Sequence, residues 1–136
     1  MKQKITRASV LAGLGAGFLW GSWAYYVHAE YGIAVAGKAA ATQFVGSSIL
    51  GTIMTMIMDW VFVVEGASPI LKKAGSIFLP VIFAFSVLFI VHLFNGTPNI
   101  LKTILPSQPV GLAWTVAYTF KLYRGAGREY PSRPIS

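Results

Sequence analysis

Five residues of this chain recur at four-residue intervals: Gln43, Ser47, Gly51, Thr55 and Asp59. Four residues turn an α-helix by about 400°, so these five share one slowly drifting face. Ser48 and Thr52 lie beside them, which makes this the most polar stripe in an otherwise apolar stretch. Small and hydroxyl side chains can glue two helices together. The same stripe can instead form a polar pathway for an ion, a proton or a lipid headgroup. Asp59 bears on the choice, because an ionisable group in an apolar helix is costly and marks either a pathway or an ion pair. Arg7, Lys72 and Lys73 are the bases on offer, and a structural ion pair is the preferred reading.

A second set of chemical groups falls between apolar stretches: His28, Glu30, His92 and Lys102, with Tyr31 and Asn95 close by in sequence. Two histidines and a carboxylate can in principle hold a divalent cation. Their spacing follows no ligand motif, so neither metal nor cofactor is expected. There is no cysteine, which removes thiolate chemistry and disulfides. No nucleophile elbow, phosphate loop, zincin helix or paired-carboxylate motif is present, and catalysis is not expected.

The elements that must position these residues follow from charge. Charged residues are 11% of the 136, against roughly 25% in a soluble domain. Apolar types reach 55%, too much for so small a soluble fold to hide. Residues 8–29, 39–58, 74–101 and 103–120 contain no Asp, Glu, Lys or Arg. A bilayer-spanning helix needs about 20 such residues, which places spans near 8–27, 40–63, 76–94 and 103–122. The windows lack the alternation of barrel strands. The expected fold is therefore all-α integral membrane: one domain, 1–136, of four transmembrane helices in an antiparallel bundle with short loops.

Basic residues orient it. With the N-terminus cytoplasmic, that side carries Lys2, Lys4, Arg7, Lys72, Lys73, Lys121, Arg124, Arg128 and Arg133, leaving Lys38 and Lys102 outside. This bias puts both termini in the cytoplasm. The net charge of +7 belongs to span flanks and to a short tail, 123–136, that suits anionic lipid, so no nucleic-acid partner is needed. The first apolar stretch exceeds the 7–15 residues of a signal-peptide core and reads as a retained helix. Trp20, Trp23, Tyr25, Tyr26 and Tyr31 gather toward the outer interface, and Trp60, Tyr118 and Tyr123 toward the inner one.

Span one carries Ser9, Gly13, Gly17 and Gly21, a small-residue face for close helix contact. In antiparallel register Gly21 would meet Ser47, Gly17 Gly51, Gly13 Thr55, and Ser9 Asp59. Pro80 should sit in the first turns of span three, where a missing N–H costs least. In Asn95-Gly96-Thr97-Pro98, Thr97 is a possible N-cap. Pro106 and Pro109 then either kink one helix over 98–123 or separate a short helix, 98–105, from a span starting near Ser107. The expected role is a non-enzymatic inner (plasma) membrane protein, an oligomer or an accessory or assembly subunit of a membrane complex. The alternative is an oligomeric transporter or channel for an ion, small solute or lipid, using the stripe on span two.

Topology is directly testable. Reporter fusions should report residues 1–7, the 64–75 loop and the tail after Lys121 as cytoplasmic; an outward-facing C-terminus would overturn the four-span layout.

Overall fold

The computed structural model describes residues 7–129, apart from the side chains of 8, 9, 12 and 126–129. All regular structure among the described residues is helical. Helix α1 (Arg7–His28) passes through a short 3-10 turn, Ala29–Tyr31, into α2 (Ile33–Val63). Helix α3 (Pro69–Phe94) follows, then the short α4 (Ile100–Ile104) and α5 (Ser107–Glu129). Among the described residues two helices, α2 and α3, are long and apolar enough to cross a membrane, with mean hydropathies of 1.4 and 2.6 over their best windows.

Local chemistry explains the boundaries. The Ser68 hydroxyl accepts from the Leu71 N–H at 3.3 Å and Pro69 follows it, an N-cap with proline at the first helical position. Helix α3 therefore begins seven residues before the expected span start at 76 and takes in Lys72 and Lys73. Pro80 then falls inside the helix rather than in its first turns, and it is fully buried. At the other end Gly96 adopts φ +68°, a conformation that side chains with a Cβ resist. The chain curls back, with Gly96 N–H donating to Leu93 O at 3.1 Å and Thr97 N–H to His92 O at 3.0 Å. This is a Schellman closure, so Thr97 finishes α3 instead of capping the next helix. Asn99 occupies the N-cap position of α4.

The break near Pro106 takes the two-helix form. The Ile104 carbonyl that the break frees is satisfied by protein: Ser107 Oγ donates to it at 2.7 Å, and Gln108 Nε2 donates to the same oxygen at 3.1 Å. The apolar stretch assigned to span four is thus shared between α4 and α5.

Helices α1 and α2 make the most extensive contact in the fold. Gly13, Gly17 and Gly21 provide it, as their spacing implies, but against a different row of α2. A Cβ on Gly21 would stand 3.2 Å from Ala40 O and from Phe44 Cβ. On Gly17 it would collide with Ser48 Oγ and lie 2.8 Å from Phe44 O, and on Gly13 it would lie 2.8 Å from Ser48 O. The facing row is Ala40–Phe44–Ser48, not Ser47–Gly51–Thr55. The expected Ser9–Asp59 pairing involves a side chain outside the described residues.

The remaining packing sets α3 against α2, α5 against α3 and more lightly against α2, and α4 against α3 and α1. The core between α2, α3 and α4 is Leu50, Met54, Ala84, Leu88 and Ile104, with Val81 and Phe85 against it. Polarity is inverted relative to a soluble domain. Phe18, Ile49, Ile82, Phe83, Trp114 and Phe120 are exposed, whereas His28, Gln43, His92, Thr103 and Thr115 are fully buried.

The glycine seam predicts a graded response. Gly17→Leu should destabilise the fold by about 1–3 kcal/mol through overpacking. Gly15→Leu, whose new side chain begins in open space, and Leu19→Ala, at a position 60% exposed, should stay within about 0.5 kcal/mol. Unfolding titrations in mild detergent measure all three; equal losses would refute the seam.

Candidate functional site

The buried polar residues gather at the two ends of the helix row. At one end α2 contributes Gln43 and α3 contributes His92, both fully buried. Gln43 Oε1 faces His92 Nε2 at 2.7 Å, and His92 Nδ1 faces Thr97 Oγ1 at 2.9 Å. An amide oxygen only accepts, so His92 Nε2 carries the hydrogen and the Thr97 hydroxyl donates to Nδ1. Asn95 Nδ2 donates to Thr97 Oγ1 at 3.3 Å, and Gln43 Nε2 donates to Ser47 Oγ at 3.2 Å. Each of these five side chains is thereby bonded to at least one of the others. The Schellman closure makes it possible, since it swings Thr97 back over the ring of His92.

His28 is held by a separate set of bonds. Its Nδ1 donates to Ala24 O at 2.8 Å, one turn earlier in α1, and its Nε2 accepts from Asn99 N–H at 3.4 Å. Asn99 also donates through Nδ2 to Tyr31 Oη at 2.8 Å, and its carbonyl accepts from Thr103 Oγ1 at 2.7 Å. The loop 95–99 therefore touches both histidines, Thr97 on one side and Asn99 on the other. Trp23 Nε1 adds a bond from α1 to Lys102 O at 3.1 Å. These contacts fasten α1, α2 and α3 to the start of α4.

Of the expected outer cluster, the structure brings His28 and His92 to the same loop and leaves Glu30 and Lys102 exposed. Lys102 takes part through its backbone. Among the described residues no three of His, Cys, Asp and Glu come close enough to hold a metal ion.

The stripe on α2 is divided rather than continuous. Gln43 and Ser47 belong to the histidine end, and Thr55 Oγ1 donates back to Gly51 O at 3.0 Å. Asp59 belongs to the opposite end, where Tyr118 Oη on α5 donates to its Oδ1 at 3.1 Å. The expected pairing with Arg7, Lys72 or Lys73 gives way to this phenol. Lys73 lies instead over the ring of Tyr123, 4.8 Å from its centroid, and Lys121 lies 5.9 Å from that of Tyr118. Leu50, Met54 and Leu88 fill the interior between the two ends.

Sequence reasoning left Thr97 and Asn99 without these roles, and it did not connect Gln43 to His92. One signal for that connection was available: the two residues lie at similar distances on either side of the α2–α3 loop, so an antiparallel hairpin sets them at one level. Compared with known protein families, curated proteins and solved structures, the chain matches none. Its function therefore has to rest on this chemistry.

The Gln43–His92 bond yields a thermodynamic test. Gln43→Leu strands the imidazole N–H in the interior, at a cost of about 1–3 kcal/mol. Replacing both residues by Leu removes the orphaned donor and should recover part of that loss. A double-mutant cycle measured by unfolding in detergent checks the coupling; strictly additive losses would show that the bond contributes nothing.

Proposed function

We propose that this chain is a small multi-pass protein of the cell's inner membrane, crossing four times with both termini cytoplasmic. In this reading it acts without catalysis, as an oligomer or as an accessory or assembly subunit of a larger membrane complex. The observation that carries the reading is the inverted polarity: bulky apolar side chains outside, bonded histidine, glutamine and threonine inside. Water would penalise that exterior, and hydrocarbon would penalise any interior polar group left unbonded. Helices α2 and α3 have the length and hydropathy for two of the crossings. Helix α1 supplies the first. The fourth is α5, whose charge-free part, 107–120, spans about 21 Å, with α4 completing the depth.

A non-enzymatic role accords with how the polar groups are used. Histidine, amide and hydroxyl side chains at the His28–His92 end bond one another across helices, the use to which membrane bundles put such residues. The helices form a row in which α1 leans on α2 and α4, so a large apolar surface stays available to a second copy or a partner subunit.

The transporter reading has one observation on its side. Thr119 Oγ1 is buried without a hydrogen-bond partner, next in sequence to Tyr118, which bonds Asp59. A transient ion or water reaching Thr119 would satisfy it. Against that reading stands the apolar fill between Ser47 and Asp59.

Thiol labelling separates the two. Single cysteines at Gln43, Ser47, Gly51 and Thr55, in membranes, should resist a water-soluble maleimide, and Asp59→Asn should leave a folded protein that conducts no differently from wild type. Labelling with four-residue periodicity, or a wild-type ion flux in liposomes abolished by Asp59→Asn, would replace the scaffold with a pathway.

A further inference from the structure

Two concavities flank one face of α2. The smaller, about 130 Å³, is lined by Val35, Lys38, Asn95, Gly96 and Thr97. The larger, about 450 Å³, is an open groove between α1 and α2, with Gly21, Tyr25, Ala41, Phe44 and Val45 among its walls. The Phe18 and Phe44 rings, 5.0 Å apart edge to face, belong to the same groove. Lys38, Ala41 and Val45 are spaced i, i+3 and i+7, so they share a face of α2. Lys38 lines the small cavity and lies about one turn before Ala41, the groove residue on the same face of α2.

The small cavity offers an anion two donors, the Lys38 ammonium and the Asn95 amide. The Lys38 ammonium has no acidic partner among the described residues; the bond made by this residue is its carbonyl accepting from Thr42 Oγ1. Asn95 gives one amide hydrogen to Thr97 and keeps the other. Thr97 is in turn fixed by His92, and His92 by Gln43, so the Asn95 amide is held by a chain that ends deep in the interior. The Gly96 and Thr97 N–H groups are spent on the Schellman closure. The space corresponds to roughly four waters, enough for the oxygens of one phosphate.

We propose that these two concavities form a single site for an acidic phospholipid of the outer leaflet. The phosphodiester sits between Lys38 and Asn95, and one acyl chain descends from Lys38 past Ala41 and Val45 into the groove. Charge complementarity selects the headgroup: a zwitterionic lipid would leave the Lys38 charge uncompensated, whereas a net anionic one neutralises it. The direction agrees, because α2 runs inward from Lys38 and the groove lies on the deeper side. His92 and Thr97 are positioning residues that set the Asn95 amide. The inference rests on the membrane reading above.

The test uses the full chain in mild detergent with equimolar phosphatidylglycerol and phosphatidylcholine, read by native mass spectrometry. One phosphatidylglycerol should be retained per chain, preferred by about fivefold, the worth of one lysine at a membrane surface. Lys38→Gln should abolish the preference, and Val45→Trp, at a position 53% exposed, should lower retention by filling the groove. Lys102→Gln, the other base on that side, should change nothing. Equal retention of both lipids, or an unaltered preference in Lys38→Gln, overturns the site. So does competition by glycerol phosphate as effective as that by the whole lipid, because the groove would then contribute nothing. Carbonate extraction of native membranes separates the two readings: a chain that stays in the membrane but shows no preference refutes the site alone. A chain that washes out refutes the membrane reading itself.

Discussion

The hydrogen bond between Gln43 Oε1 and His92 Nε2, 2.7 Å long and fully buried, ties the two most apolar helices together where their interior would otherwise be orphaned. Much else follows from it. The ring it orients receives the Thr97 hydroxyl, which requires the chain to turn back at Gly96. That turn directs residues 97–99 across the end of α1, where Asn99 meets His28 and Tyr31. Helix α4 then starts at Ile100 and places Ile104 on Leu50, Met54 and Leu88. A single amide–imidazole contact thus stands upstream of the loop, the short helix and part of the core. Its value comes from the surroundings, since a donor or acceptor left unbonded in so apolar an environment is far more costly than the net worth of the bond.

The two halves of the molecule are held by different physics. Near the histidines, helices are joined by directional bonds that fix both spacing and rotation. Along α1 and α2 the joint is a seam of missing side chains: Gly13, Gly17 and Gly21 let backbone meet backbone at Ala40, Phe44 and Ser48. Ser48 sets its hydroxyl against Gly17 and satisfies it by donating to Phe44 O at 2.8 Å within its own helix. Dispersion across such a close approach holds the two helices together. The seam therefore depends on volume, and the histidine end depends on pairing.

Much of the helical layout was legible from charge-free windows and their flanks. The ends of α2 and α3 at Val63 and Phe94 fall where charge and turn residues begin again. Their starts were less legible. Ser68 and Pro69 provide a strong capping signal, but the apolar window begins only after Lys73, and hydropathy alone follows the window. The small-residue face of α1 and the polar face of α2 were both evident from a four-residue period. The burial of both histidines was not, because a lone histidine in sequence looks the same whether it meets water or glutamine.

Periodicity determined which residues of α2 share a face, and it also determined that α1 offers a surface without bulk. It could not say which face of α2 meets which neighbour. Two adjacent rows on α2, Ala40–Phe44–Ser48 and Gln43–Ser47–Gly51, differ by a fraction of a turn, and both offer small groups to a partner helix. Only the assembled structure chooses between them. Gln43 finds the partner it needs on α3, so its row turns toward His92, and the neighbouring row is the one left for the glycines of α1. Asp59 was decided in the same way: its partner Tyr118 is 59 residues distant and comes within reach only after α5 has packed back against α2 and α3. The physical reason is common to both. A hydrogen bond in an apolar interior is won or lost on the position of the second group, and that position belongs to the fold rather than to either residue's local sequence.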